Sequence, residues 1–503
     1  MYIEQAQPLA GIRILDSTYV YALPYAAGLM ADLGAEVIKI EACRHPDIVR
    51  VGGIASVFPE NRVGERFWEQ GGTFHTLNRG KRSLTLDLNH PAGQEIFKRL
   101  VAISDIVLEN FTPRVMRKWG LDYPNLKAIK PDIIMLSNTG YGHGGPYSHY
   151  GSQATSLEAT QGTAYLTGYI DGPPAKAGFA YTDFLACWTA LFALFTALLY
   201  RRRTGKGQWI DLGMYQLGVA FIGEAVIDYM VNGAPGGTEG QRHRGTEGQR
   251  DKGTKAQRHE GEEAQRGERG GNESQPGRRV QMRLGNRHPT QAPYGCYRCR
   301  GRDRWITVAI SDTAEWEALC KTIGHPELLQ DSRLQDAQGR WKHHDELDRI
   351  IESWTREQDP YAAMHRLQEA GVPAGVVMDT RDLLRDPHLK ARGFFEMVEQ
   401  APSSEAGKRP VIGRPWKLSA TPVRIRRAAP TFGQDNDYVL KELLQMPDEE
   451  IERLRGEGII GEKPAGLTPP RLLSPAEMVR LGRFAYHDPE YRKNCGIDEK
   501  EKE

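Results

Sequence analysis

The sequence predicts an α/β protein: a large domain built on a doubly wound, mostly parallel sheet, together with a smaller α+β domain. Three observations support this fold class. Strand-like and helix-like segments alternate through the first 214 residues, a long apolar run occupies residues 184–200, and a polar repetitive segment separates this half from a second set of elements. Alternation of strands and helices is typical of parallel sheets with helices on both faces.

Five short segments of the N-terminal half have the composition of buried strands, namely 11–16, 34–41, 105–110, 132–137 and 208–214. Helical patterns lie between them, and the one at 24–33 starts with a proline in its first turn, where proline is tolerated. Ligands of such sheets bind beyond the carboxyl ends of the strands. The residues that follow each strand are therefore candidate site residues.

An eight-residue unit beginning with Gly-Thr repeats from Gly237, Gly245 and Gly253. It contains almost no apolar side chains, so it cannot bury enough surface to offset the entropy lost on ordering. A structural repeat would carry a core position in every unit, and this one carries none. The pattern predicts a disordered low-complexity insertion over residues 230–284.

Structure is predicted to resume after the insertion with a strand pair at 294–299 and 304–310, three helices, and a short strand within 371–378. The resulting domain boundaries are 1–229 for the N-terminal part of the large domain, 230–284 for the insertion, 285–385 for the small domain, 386–462 for a return segment to the large domain, and 463–503 for a charged tail.

The apolar run at 184–200 follows Thr182 and Asp183 and precedes three arginines at 201–203. The pattern predicts a buried helix whose N-cap is Thr182 or Asp183, with the arginines complementing its C-terminal end. At 17 residues the run is short for a membrane span. A carboxylate at a helix N-terminus is favoured in its charged form, so Asp183 is either a simple cap or a nucleophile.

Several function classes find no support in the composition. With 66 basic and 65 acidic residues, the chain has almost no net charge that would attract nucleic acid or an anionic membrane. Six cysteines in 503 residues do not make a disulfide scaffold, which favours a reducing cytoplasm. The lone Cys296–Cys299 pair lacks the second pair that a zinc site needs, so we predict no metal site. The GxGxxG pattern at 140–145 opens no helix suited to a dinucleotide.

Over residues 10–230 and 285–460 the sequence resembles the family III CoA-transferases, the group of formyl-CoA and carnitine CoA-transferases. Several spaced motifs carry the resemblance: GIRILD at 11–16, ADLGAEVIKIE at 31–41, NRGKRSLTLD at 78–87, ENF at 109–111, YG at 141–142, Asp183 with its helix, TGKGQ at 204–208, GNRHP at 285–289 and GVPAG at 371–375.

The resemblance implies that Asp183 is a covalent nucleophile. Its carboxylate attacks an acyl-CoA to give an aspartyl–acyl anhydride and then an aspartyl-CoA thioester. Coenzyme A is thus a substrate and carrier, with no permanently bound cofactor. Matching positions imply CoA contacts from Tyr19, Val20, Tyr21, Leu86, Asn110, Phe111 and Lys118, and the basic side chains of Arg44, Lys81 and Arg82 are further candidates for the phosphates.

The resemblance also implies an interlocked dimer in the cytoplasm, either a homodimer or a heteromer with a related subunit, acting on an acyl-CoA and a small carboxylic acid. The segment around 297–305 favours the dicarboxylate subgroup, with succinyl-CoA as donor and malate, citramalate or mesaconate as acceptor. Two alternatives remain open. One is an α-methylacyl-CoA racemase, although residues 151–153 read Gly-Ser-Gln where racemases carry Gly-His-Asp. The other is a non-catalytic subunit of a heteromeric transferase.

Overall fold

The computed structural model describes residues 7–51, 57–169, 172–178, 181–233 and 283–497. The core of the predicted insertion, residues 234–282, lies outside the described residues. The described chain divides into two compact units. Unit 1 falls within Met1–Gln161, Gly178–Gly218 and Met378–Glu503, and unit 2 within Gly162–Ala177 and Val219–Val377.

Up to residue 161 the regular elements of unit 1 are, in chain order, β1 (Arg13–Asp16), α1 (Ala22–Asp32), β2 (Glu36–Glu41), α2 (Gly72–Leu77), β3 (Arg82–Thr85), α3 (Pro91–Ala102), β4 (Ile106–Glu109), α4 (Arg114–Lys118), α5 (Tyr123–Ile129), β5 (Ile134–Thr139) and α6 (Ala154–Thr160). The next stretch contains α7 (Thr163–Leu166), α8 (Tyr181–Thr204), β6 (Trp209–Gly213), α9 (Met214–Phe221) and α10 (Gly223–Asn232).

After the insertion come β7 (Tyr294–Arg298), β8 (Trp305–Ala309), α11 (Thr313–Ile323), α12 (Ala337–Lys342), α13 (His344–Thr355), α14 (Pro360–Glu369) and β9 (Ala374–Val376). The chain ends with α15 (Thr380–Arg385), α16 (Pro387–Ala391), β10 (Phe395–Glu399), β11 (Lys408–Ile412), a π-helical segment (Tyr438–Leu443), α17 (Asp448–Gly456), α18 (Pro475–Arg480) and α19 (Tyr491–Asn494).

Unit 1 is built on a six-stranded sheet in the order β3-β2-β1-β4-β5-β6, and every neighbouring pair is parallel. Side chains alternate between its faces. Ile14 packs with α1 and α8 on one face, whereas Leu15 packs with α3 and the segment 439–460 on the other. Both faces are therefore covered, which confirms the predicted doubly wound fold. The strand order reverses between β1 and β4, where such sheets form a crevice for ligands.

Strand β3 forms one edge of this sheet, and two side chains from far along the chain cover it. Asp435 accepts hydrogen bonds from the backbone N–H of Ser83 (2.9 Å), and Asn436 accepts one from the N–H of Thr85 (2.8 Å). Because both acceptors come from the end of the chain, the outer donors of the edge strand are satisfied without a further strand.

Helix α8 is the longest helix of the described chain and packs mainly against α1. Its length and apolar composition would also allow it to cross a membrane, a test that core helices of soluble proteins pass as well. Seven of its residues are buried in the unit, namely Thr182, Ala186, Cys187, Ala190, Leu191, Leu194 and Ala197. The other side of the helix is less covered, and Phe192 is 76% exposed.

Unit 2 contains the small antiparallel sheet β7-β8-β9, with a core cluster formed mainly with α11, α13 and α14. Its bounds differ from the predicted small domain because residues 162–177 and 219–233 group with it. Local contacts explain the difference: the N–H of Gly285 donates to the carbonyl of Gly168 (2.9 Å), and Arg283 lies over the ring of Tyr165.

The described part of the charged tail contacts other segments of unit 1. Tyr486 donates a hydrogen bond to Asp379 (2.9 Å), Asn61 donates to the carbonyl of Leu473 (2.8 Å), and Arg492 pairs with Glu60 (2.5 Å). These contacts tie the tail, which contains the short helices α18 and α19, to the larger unit.

Candidate active site

The loop Tyr19–Tyr21 connects β1 to α1 at the point where the strand order of the sheet reverses. Asn110, which follows β4 on the other side of this point, holds the loop in place. Its amide oxygen accepts from the N–H of Tyr19 (2.9 Å), and its amide nitrogen donates to the carbonyl of Tyr19 (2.8 Å). Asn110, immediately after β4, therefore fixes the loop that follows the neighbouring strand β1.

Val20, at the centre of this loop, has a φ of +75°. For a β-branched residue this left-handed conformation costs on the order of 1–3 kcal/mol, and it persists only when its surroundings impose it. The N–H of Val20 donates to Asp47 (3.2 Å), next to the clamp from Asn110. Strained residues held in this way cluster at ligand sites.

A cavity of about 420 Å³ opens at this place in unit 1, and its lining is mostly apolar. Tyr19, Val20, Leu86 and Phe111 all contribute to it. Trp119 meets Phe111 edge-on at 5.3 Å between ring centroids and donates a hydrogen bond to Asn89 (3.2 Å). The remaining lining residues are Ser17, Ile40, Ala42, His45, Pro46, Ile48, Asp87, Leu88, Asn89 and Val115.

Buried ion pairs support the loop from inside the unit. Lys39 pairs with Asp47 (3.1 Å) and lies 5.0 Å from the ring centroid of Tyr19, and Lys81 pairs with Asp16 (2.6 Å). Burial lowers the pKa of Lys81 to about 8, although Asp16 opposes this shift. All four charged side chains are fully buried, and the opposite charge of its partner stabilises each of them in place of solvent.

The structure corrects one expectation about phosphate contacts, that for Lys81, and shows the ion pairs that engage Arg82. Lys81 is fully buried against Asp16, so it cannot meet a phosphate from solvent. Arg82 is engaged by Glu36 (3.1 Å) and Asp435 (3.1 Å) and stabilises the sheet edge.

Asp183 lies in the first turn of α8, which begins at Tyr181. The prediction that Thr182 or Asp183 is the N-cap is therefore wrong, because both residues are already inside the helix. The expectation that the helix start favours the charged carboxylate also fails. Burial raises the pKa of Asp183 to about 6, and its own backbone N–H only partly offsets this effect. Loss of solvent outweighs the local dipole here.

The surroundings of Asp183 are aromatic and weakly polar. Tyr21 is buried, and burial together with the negative charge of Asp183 raises the pKa of its phenol. The ring of Phe184 lies 6.4 Å from that of Tyr21 and 5.6 Å from that of Tyr25. The loop that lines the cavity at Tyr19 and Val20 thus reaches Asp183 through its third residue, Tyr21.

The structure distributes the predicted CoA-binding residues over three roles. Tyr19, Val20, Leu86 and Phe111 line the cavity, Asn110 clamps the loop, and Tyr21 neighbours Asp183. Arg44 and Lys118 are exposed and do not line the cavity, although each directly precedes a residue that does, His45 and Trp119. Among the described residues, no group of three or more His, Cys, Asp or Glu side chains is placed to hold a metal ion.

Sequence reasoning missed Trp119 and Glu158. Trp119 directly follows the predicted phosphate contact Lys118, so its position in the sequence could have indicated a wall of the same pocket. Glu158 lies in α6, is 1% exposed, and acts electrostatically on Asp183. No local pattern marks it, because its burial depends on how α6 packs against α8.

Unit 1 thus combines a cavity at the switch point of a parallel sheet with a half-buried aspartate near the loop that lines this cavity, an arrangement suited to a ligand that binds beside a carboxylate. The sequence profile of CoA-transferase family III matches residues 9–250 and 271–436. This chain belongs to that family and is a CoA-transferase, as the motifs predicted.

Characterised relatives cover nearly the whole chain. Succinyl-CoA–D-citramalate CoA-transferase of Chloroflexus aurantiacus is 30% identical over 90% of this chain and 98% of its own length. Succinate–glutarate CoA-transferase of Agrobacterium fabrum is 29% identical over 89% of this chain and 97% of its own length. The alpha subunit of succinyl-CoA–L-malate CoA-transferase from Chloroflexus aurantiacus is 30% identical over 91% and 94%.

Among solved structures, a CAIB/BAIF family protein from Brucella suis is similar, with a TM-score of 0.69 and 29% identity over 87% of this chain and all of that one. The fold, the family and the enzyme class predicted from the sequence are thereby confirmed. Coenzyme A takes part in the reactions of this family as a thioester substrate.

Proposed function

We propose that this enzyme transfers CoA from succinyl-CoA to a small dicarboxylic acid such as citramalate or malate, with mesaconate as a further candidate, and that Asp183 is the covalent nucleophile. The relatives supply the substrate class, since their names pair succinyl-CoA or succinate with citramalate, malate or glutarate. The observation that carries the mechanism is the half-buried Asp183 carboxylate beside Tyr21 of the loop that lines the cavity.

In the proposed reaction the Asp183 carboxylate attacks the thioester carbonyl, forming a mixed anhydride and releasing CoA as a thiolate. The thiolate then attacks the aspartyl carbonyl, giving an aspartyl-CoA thioester and free succinate. The acceptor carboxylate repeats the two steps in reverse order. Each step exchanges one acyl bond for another, so no nucleotide is consumed. Water must stay out, and the aromatic surroundings of Asp183 favour its exclusion.

We place the nucleotide end of CoA in the cavity between Phe111, Trp119 and the loop at Tyr19. An adenine ring suits an apolar pocket with aromatic edges. Arg44 and Lys118 stand next to its lining residues in the sequence and are the exposed cations we assign to the phosphates.

We also propose an interlocked dimer in the cytoplasm. The outer face of α8 supports association, because Phe192, Phe195, Leu199 and Tyr200 are 39–76% exposed in this single chain. A contiguous apolar face of this kind marks an interaction surface in soluble proteins. Both homodimers and heteromers fit, since the relatives include alpha and beta subunits of one transferase.

The experiment compares wild-type enzyme with Asp183→Asn, which preserves the shape of the side chain but removes its negative charge. Incubation with succinyl-CoA and hydroxylamine should convert Asp183 to a hydroxamate in the wild type only, and CoA transfer to citramalate or malate should fall at least about 1,000-fold in the variant. Asp448→Asn, an exposed acid in the first turn of α17, serves as the matched control.

Near-normal transfer by Asp183→Asn would refute the covalent role. Two other outcomes would redirect the assignment. Deuterium wash-in at the α-carbon without CoA exchange would identify a racemase, and activity only after addition of a related chain would identify one subunit of a heteromer.

A further inference from the structure

We infer that Glu158 is a positioning residue of the transfer reaction: its buried carboxylate destabilises the ionised form of Asp183 and so makes Asp183 a stronger nucleophile. This inference rests on the proposed role of Asp183. It assigns a second acidic side chain to the site, one that acts through Asp183 without touching the substrate.

Glu158 occupies an unusual environment for a carboxylate. It is 1% exposed, and its Oε2 has no hydrogen-bond partner among the described residues. A buried charge without a full set of partners costs free energy, so its presence in a fold calls for an explanation. Its burial and missing partner, together with its electrostatic effect on Asp183, identify the pair.

The relative position of Glu158 and Asp183 is fixed by packing. Leu157, the neighbour of Glu158, lies in one buried cluster with Ala186, which is three residues beyond Asp183. At the end of α6, Gln161 donates a hydrogen bond to the hydroxyl of Thr182 (3.3 Å), the residue before Asp183. Side-chain packing and a hydrogen bond therefore hold α6 against the start of α8 on both sides of the pair.

The other titratable groups nearby do not neutralise this pair. Tyr21, in the loop before α1, is an acid, and so is Cys187 of α8, whose pKa burial raises to about 12. Arg79 and Lys81 act on Cys187, but Arg79 is paired with Asp32 and Lys81 with Asp16. Further titratable groups on the packed elements include Tyr25 of α1, Tyr181 of α8, Tyr141, Tyr215 and Asp211, the last held by His143 (3.1 Å).

The consequence for catalysis follows from charge. While Asp183 is ionised it is repelled by Glu158, and when it becomes the anhydride or the thioester its charge is gone. The repulsion therefore weakens as the new bond forms, which lowers the barrier relative to a site without Glu158. No proton or electron needs to leave the pair during this step. The bond that forms joins the Asp183 oxygen to the acyl carbon, the carbon–sulfur bond of the thioester breaks, and its electron pair leaves with the CoA thiolate.

The test measures CoA transfer against pH in Glu158→Gln, which keeps the shape but removes the charge. The acid side of the kcat profile should move to lower pH by about one unit, because Asp183 loses a like charge. On the plateau kcat should fall about three- to tenfold, because a less basic carboxylate is a weaker nucleophile. The KM for acyl-CoA should stay unchanged, since Glu158 does not line the cavity.

Glu158→Asp, which restores the charge, should move the acid side back toward the wild-type position. If Glu158→Gln does not fold, as judged by circular dichroism, Glu158→Ala takes its place. The inference would be overturned if the kcat profile of Glu158→Gln had the same acid side as the wild type. It would also be overturned if Glu158→Asp, which keeps the charge, showed the same shift as Glu158→Gln. Hydroxylamine trapping in the wild type tests the nucleophilic role of Asp183 separately. If Asp183 is trapped but the pH profile of Glu158→Gln is not shifted, only the role of Glu158 is rejected.

Discussion

The strained loop at Val20 gives a prediction whose magnitude can be worked out from its contacts. Asn110→Ala removes two hydrogen bonds to the backbone of Tyr19, at 2.9 and 2.8 Å. Each is worth about 1 kcal/mol net, so the change should cost about 2 kcal/mol if the loop stays in place. Once unclamped, however, Val20 can relax partly from its left-handed conformation and so recover about 1–2 kcal/mol of its strain.

The two effects oppose each other, so Asn110→Ala alone should cost only about 0–1 kcal/mol in the free energy of unfolding. In a Val20→Gly background there is no strain to recover, because glycine adopts positive φ freely, and the same change should cost about 2 kcal/mol. The difference between backgrounds is the coupling energy of a double-mutant cycle, measured by urea unfolding at one fixed protein concentration.

Activity should respond more strongly than stability. A relaxed loop moves Tyr19 and Val20, which line the cavity, so the KM for acyl-CoA should rise at least about tenfold in Asn110→Ala. The reasoning would be refuted if Asn110→Ala lowered the free energy of unfolding by the same amount in the wild-type and Val20→Gly backgrounds. Asn110 would then not be holding Val20 in a strained conformation.

Three further predictions concern other parts of the molecule. Burial raises the pKa of Asp183 from 3.8 to about 6, so its ionised form costs stability above pH 6 and nothing below pH 4. Asp183→Asn should therefore be more stable than wild type at pH 8, by at most about 3 kcal/mol, with no gain at pH 4; an equal gain at both would contradict this. Trp119→Ala should raise the KM for acyl-CoA about tenfold with kcat little changed, whereas Trp119→Phe should keep most of the affinity. Glu60→Ala removes contacts to Tyr491, Arg409 and Arg492, so limited digestion with trypsin should cleave the tail about tenfold faster. An unchanged cleavage rate would show that the other contacts of the tail are enough to hold it against unit 1.

Hydrophobic pattern predicted five of the six strands of the main sheet, because each is a short apolar run between helical segments. It missed β3, whose sequence begins Arg82-Ser83 and is polar. The backbone N–H groups of Ser83 and Thr85 in this strand donate to Asp435 and Asn436, about 350 residues further along the chain. No local sequence pattern indicates contacts between residues so far apart. The antiparallel pair β10 and β11 was missed as well, and it is short and partly exposed.

At the site, family motifs pointed to the loop Tyr19–Tyr21 and to Asp183, but they did not predict the electrostatics. Whether a helix-start carboxylate is stabilised or destabilised depends on how much water reaches it, and burial is a property of the tertiary structure. The same reasoning explains Lys81, which looks like a free cation in the sequence and is fully buried beside Asp16. Glu158 stayed unnoticed because only packing brings it to Asp183.

The covering of β3 by Asp435 and Asn436 has a consequence for how the chain folds during synthesis. Until the ribosome has made residue 436, the outer donors of β3 have no partner from this segment, so an otherwise complete parallel sheet presents an open edge. Such an edge pairs readily with other chains, and contacts so distant in sequence form slowly. A nascent chain released before residue 436 should therefore aggregate. The N–H of Gly461 also donates to the hydroxyl of Thr85 (2.8 Å), so a chain that extends beyond Gly461 should remain soluble.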